Sequence, residues 1–74
     1  PEFWIGTPHD GKSATSGNGV HVGFMAASKA EVDDFYRAAI SAGATDDGGP
    51  GHRHEYGEPY YGCFVRDPDG NKIE

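Results

Sequence analysis

Apolar and polar residues alternate along Val20-His21-Val22-Gly23-Phe24-Met25, which predicts a strand. Its two faces carry Val20, Val22 and Phe24 on one side and His21, Gly23 and Met25 on the other. The period then changes. Val32, Phe35, Tyr36, Ala39 and Ile40 recur at spacings of three and four, the apolar stripe of a helix from about Lys29 to Ala42. Ser28 and Glu31 form an S-x-x-E capping box in which each side chain serves the other's free amide. Gly43 is the expected stop, and Asp33 and Arg37 are spaced to pair on the wet side. Tyr60 to Arg66 reads as a strand again, and Asn71 to Glu74 begins another. Between them Pro68 and Gly70 suit a three-residue loop, with Asp67 facing Asn71.

The remaining segments are less patterned. Thr7 to Gly19 is a polar, Gly- and Ser-rich linker. Asp46 to Pro59 is irregular, with Gly48-Gly49-Pro50-Gly51 as a turn and a short edge strand within His52 to Tyr56. Phe3-Trp4-Ile5 is a further strand-like run. The order is β, linker, then β-α-β-β-β: an α+β fold with one helix on the outer side of the sheet.

Composition narrows the class. A chain of 74 residues is one small domain at most, burying only about 60% of its surface. Such domains rely on disulfides, a metal or a partner. The single cysteine, Cys63, forms no internal disulfide, so a reducing, cytoplasmic setting is expected. Six basic and twelve acidic residues give a net charge of -6, with the bases scattered, which argues against nucleic acid or an anionic membrane as partner. No apolar run approaches the ~18 residues of a membrane span. The chain begins at Pro1 and stops at Glu74 part-way through its last strand, so it is expected to be a piece of a longer protein.

If Asp67 faces Asn71, then Phe64 lies opposite Glu74. Gly62, Phe64, Lys72 and Glu74 then share one face, while Cys63, Val65 and Ile73 turn to the helix. The apolar side of the first strand must also turn to the helix, which leaves His21 on the face of Glu74. An imidazole and a carboxylate together suit a borderline divalent cation. The plainer reading is two solvated side chains, and two ligands alone do not complete a metal site.

Gly19-Val20-His21-Val22-Gly23-Phe24, the capped helix ending at Gly43, and Phe64-Val65-Arg66-Asp67-Pro68-Asp69-Gly70-Asn71-Lys72-Ile73-Glu74 together resemble the vicinal oxygen chelate superfamily. That superfamily includes glyoxalase I, extradiol dioxygenases and bleomycin-resistance proteins. The resemblance covers residues 19–74 and implies the second βαβββ module of a glyoxalase-like open barrel with a mixed sheet. Residues 1–6 would be the last strand of a mostly absent first module, and 7–18 the linker. It also implies one metal ligand from the first strand and one from the last strand of each module, here His21 and Glu74, with Glu74 doubling as a base. Glu2 stands where Glu74 stands in its own module and is either a third ligand or a cap on an exposed end. The cation would be Zn, Ni, Fe or Mn and the substrate a small molecule. The partner would be a second copy in a homodimer or the missing first module. Two functions stay open: a metal-dependent lyase or dioxygenase, and an antibiotic-sequestering binding module without chemistry.

Other residues carry weaker signals. Met25 and Phe64, with Trp4, are candidates for the apolar wall of a substrate cavity, Trp4 being equally suited to a core. Arg53, with Tyr56 and Tyr60, is placed to hold an anionic substrate group, or serves packing and surface. His52 and His54 would share a strand face as a secondary metal site, or lie in a solvated loop. Cys63 reads as a small buried residue.

Overall fold

The computed structural model describes residues 3–53, 55 and 60–74. Its elements are β1 (His21–Val22), α1 (Lys29–Ser41), β2 (Thr45–Asp46), β3 (Gly51–His52), β4 (Tyr61–Gly62), β5 (Val65–Arg66) and β6 (Lys72–Ile73). One sheet has the order β1-β6-β5-β2 and a second pairs β3 with β4. β1 runs parallel to β6, while β5 runs antiparallel to both β6 and β2, so the sheet is mixed. The fold is α+β with open sheets and one helix, as the sequence pattern implied.

The two sheets are parts of one ribbon. Asp46 faces Val65 and Gly51 faces Gly62, so the four residues Asp47 to Pro50 stand opposite the two residues Cys63 and Phe64. Asp47 N–H donates to the Phe64 carbonyl (2.9 Å) and Phe64 N–H to the Gly48 carbonyl (2.8 Å), which keeps the strands joined across the gap. The expected turn at Gly48 to Gly51 is therefore a bulge. The chain runs through it without reversing, and the strand begins earlier than expected, at Thr45. Glycine and proline signal a break in a ladder, but their composition does not tell a bulge from a reversal.

The hairpin of β5 and β6 follows the expected register. Asp67 N–H donates to the Asn71 carbonyl at 3.0 Å and Gly70 N–H to the Asp67 carbonyl at 2.9 Å. Gly70 sits at φ 89°, the left-handed region that closes such a loop.

The helix is capped much as expected. Ser28 Oγ accepts from Glu31 N–H at 3.2 Å. Glu31, however, reaches one residue past the cap and accepts from Ala27 N–H at 2.8 Å. Arg37 pairs with Asp34 rather than with Asp33, because Asp33 accepts from the Tyr61 hydroxyl at 2.7 Å and is held against β4. That carboxylate raises the Tyr61 pKa above its ordinary value. α1 packs over β4 and β5, and Cys63 Sγ points to the Val32 carbonyl at 3.9 Å.

The buried hydrophobic residues among those described are Cys63, Phe64 and Val65. The stripe of α1 is only partly covered, with Phe35 and Ile40 each 38% exposed. β1 is likewise half-bare: Val22 is 37% and Phe24 48% exposed. Its apolar side therefore does not meet the helix closely. A cleft of about 660 Å³ opens there, with Phe24, Val32, Phe35 and Cys63 among its walls and Glu74 at its margin. Phe3 to Ile5 forms no strand; Phe3 packs edge-on against Phe24 with ring centroids 5.0 Å apart.

Candidate functional site

Neighbouring strands bring together two residues far apart in sequence. His21 faces Lys72 in the parallel β1–β6 pair. The ladder continues past the strand ends, Glu74 N–H donating to the Val22 carbonyl (2.8 Å) and Phe24 N–H to the Glu74 carbonyl (2.9 Å). Alternation puts Lys72 and Glu74 on one face, so the His21 and Glu74 side chains meet there. His21 Nε2 lies 3.2 Å from Glu74 Oε1. The imidazole is 46% and the carboxylate 26% exposed, so solvent and small solutes reach both.

The Tyr60 hydroxyl donates to Glu74 Oε2. To reach it the Tyr60 ring lies across Gly62, where an added Cβ would stand 2.9 Å from ring atoms Cε1 and Cζ. A side chain at position 62 would displace that ring. Glu74 is thus held at both oxygens, with Oε1 turned to His21 and Oε2 to Tyr60. Tyr60, expected as a substrate contact, is a hydrogen-bond partner of the carboxylate at the site. A Tyr two residues before a Gly in a strand facing Glu74 is the signal that would have found it.

The donor set fits two adjacent positions on one divalent cation. Bonds of about 2.0–2.2 Å at angles of roughly 90–110° put two such donors about 2.8–3.6 Å apart, and the observed 3.2 Å lies in that range. Among the described residues no group of three or more His, Cys, Asp or Glu side chains could hold a metal. Glu2, His54 and Tyr56 lie outside the described residues.

The expected cavity wall is assembled differently. Phe64 is on the site face but only 6% exposed. Lys72 Nζ lies 4.8 Å and Arg53 Cζ 5.5 Å from its ring centroid, so two cations stand against that ring. Met25 is 99% exposed and lines the cleft beside α1. Trp4, 82% exposed, lines a separate hollow of about 250 Å³ together with His21 and Lys72.

His52 and Cys63 are occupied elsewhere. His52 Nδ1 lies 3.1 Å from the Tyr60 carbonyl and must be protonated to donate to it. Its Nε2 then accepts from Lys29 Nζ at 3.4 Å. Cys63 is buried against α1, and that burial pushes its thiol above its ordinary pKa.

The model of the Glyoxalase/Bleomycin resistance protein/Dioxygenase superfamily matches residues 2–74. The chain belongs to that superfamily. Members commonly use metal ions, bind small molecules and often dimerise. The crystal structure of a glyoxalase/bleomycin resistance protein from Albidiferax ferrireducens T118 is similar, with a TM-score of 0.79 and 43% identity. The match covers 89% of this chain and 52% of that one, so the chain spans about half the length of that relative. No curated protein matches the chain. Within this glyoxalase-like fold, His21 lies in the first strand and Glu74 directly follows the last.

Proposed function

We propose that the protein carrying this chain is a metal-dependent enzyme of the glyoxalase or dioxygenase type, acting on a small molecule with two adjacent oxygens. The 3.2 Å convergence of His21 Nε2 and Glu74 Oε1 carries this reading. Both are borderline-to-hard donors, suited to Zn, Ni, Fe or Mn. A bound cation would supply Lewis acidity toward the substrate oxygens. The side chains of this chain do the rest. His21 and Oε1 of Glu74 set the position of the reacting end of the substrate. Tyr60 holds Oε2, which fixes the carboxylate plane. Oε2 faces away from His21 and would be the oxygen left to take a proton from the substrate, with the Tyr60 hydroxyl bond moderating its basicity. Two donors do not close a metal site, and the further ligands would come from Glu2 or from a second module of the same or another chain.

His21→Ala in the full-length protein should lower divalent-metal occupancy by ~10-fold or more, since each lost ligand leaves the cation under-coordinated. Elemental analysis after dialysis reads this directly, and unchanged metal content would overturn the metal-dependent reading. A second reading is a binding module without chemistry. It is favoured by the closed arrangement of Glu74, whose two oxygens are already met by His21 and Tyr60 with no cation needed. Ligand retention with full affinity after exhaustive metal removal would select it.

A further inference from the structure

Arg53 stands apart from the other bases of the site face. Asp47 Oδ2 serves both Arg66 Nε at 3.1 Å and Lys72 Nζ at 3.4 Å. Among the described residues Arg53 has no carboxylate partner, although acids outnumber bases twelve to six. It is nevertheless held in place. Nη2 donates to the Gly49 carbonyl at 2.7 Å in a part-buried bond, and Nη1 to the His52 carbonyl at 3.3 Å. The bulge makes room for it: Gly48 has φ 138°, and an added Cβ there would stand 3.1 Å from Arg53 Nη2 and 3.2 Å from Phe64 Cδ2. The guanidinium therefore lies over Phe64, held by backbone carbonyls, with no carboxylate among the described residues to offset its charge. Of its five N–H groups two are used, and the rest suffice for a bidentate anion.

The position is informative. Gly48 and Phe64 bond each other across two strands, and Phe64 lies opposite Glu74 on the third. Two strand spacings of about 4.8 Å put the guanidinium roughly 10 Å across the face from the Glu74 carboxylate.

We propose that Arg53 binds an anionic group of the substrate, so that the substrate is a small molecule bearing a carboxylate, sulfonate or phosphoryl group roughly 10 Å from its paired oxygens. This rests on the His21–Glu74 reading above. It also explains why Phe64 is roofed by cations instead of being open as an apolar floor.

The test uses the full-length, metal-loaded protein and two probes, 3-(3,4-dihydroxyphenyl)propanoate and the neutral 1,2-dihydroxybenzene. Both offer paired oxygens; only the first carries a carboxylate at the required reach. The wild type should bind the anionic probe about tenfold or more tightly than the neutral one, the scale of a charge-assisted hydrogen bond. Arg53→Gln should remove that preference with the melting midpoint unchanged, and Arg53→Lys should restore part of it. The same preference in Arg53→Gln as in wild type, or no binding of either probe, overturns the proposal. His21→Ala should weaken both probes alike and keep their ratio. Were His21→Ala to change neither probe while Arg53→Gln still removed the preference, the metal reading would fail and the anion site would stand.

Discussion

Tyr60 and Gly62 show how much of a site depends on one missing side chain. The phenol reaches Glu74 Oε2 only because the ring can lie flat on position 62. Outer hydrogen bonds of this kind commonly change metal affinity 10–100-fold without touching the metal. Tyr60→Phe should therefore weaken divalent binding in the full-length protein by about tenfold while the melting midpoint hardly moves. Gly62→Ala should do the same by pushing the ring aside. Calorimetric titration with Zn²⁺ distinguishes this from a purely packing role, in which stability would fall and affinity would not.

At the level of elements, the β5–β6 hairpin is tied by side-chain as well as backbone hydrogen bonds. Asp67 Oδ1 accepts from the N–H groups of Asp69 (3.0 Å) and Asn71 (2.8 Å), and Oδ2 from Asn71 Nδ2 (3.0 Å). The Asn71 side-chain bond leads in holding the Asp67 carboxyl below its ordinary 3.8. A depressed folded pKa means stability that is present above about pH 3.8 and lost as pH falls through the folded value. The stability gap between wild type and Asp67→Asn should then shrink on acidification. Melting midpoints at pH 7 and near pH 2.5 measure it, and a pH-independent gap would contradict the assignment.

This hairpin was legible because Pro68, Gly70 and the flanking alternation fix loop length, register and face together. The meeting of His21 with Glu74 followed from the same face count. The bulge at Asp47 to Pro50 was not legible, since glycine-rich segments admit several backbone paths with one composition. Neither was the exposed stripe of α1, because an apolar period says which face seeks burial and not how much of it a neighbouring layer covers. Arg53 was recognised as a candidate, but its place over Phe64 depends on that unread bulge. Pairs between helix and strand, such as Asp33 with Tyr61, also lay beyond a local reading, which assigned Asp33 to Arg37.

At the scale of the whole molecule, several large apolar side chains among the described residues lie exposed. Trp4, Ile5 and Met25 are 82%, 86% and 99% exposed, against three buried hydrophobic residues among those described. Small domains depend on most of their apolar area being covered. Residues 1–74 expressed alone should therefore be aggregated, largely unfolded, or a dimer that covers Met25 and the cleft beside α1. Sedimentation and amide dispersion decide, and a dispersed monomer with a cooperative melt would refute this.

The parallel pairing of β1 with β6 sets an order of events in time. His21 and Glu74 are separated by 53 positions, and every other strand pairing can close before theirs does. A loop of that length must be gathered before any reward is collected, so parallel contacts of this kind form slowly. On a ribosome, β1 emerges early and waits, bare on one edge, until the last strand arrives. The residues that would grip a ligand thus come together only once β6 is available to pair with β1. A ligand held by them would act as a latch on the finished fold, slowing unfolding while leaving the rate of folding nearly unchanged. Stopped-flow measurements of both rates with and without Zn²⁺ would show that asymmetry, whereas faster folding with the cation would place the pairing early.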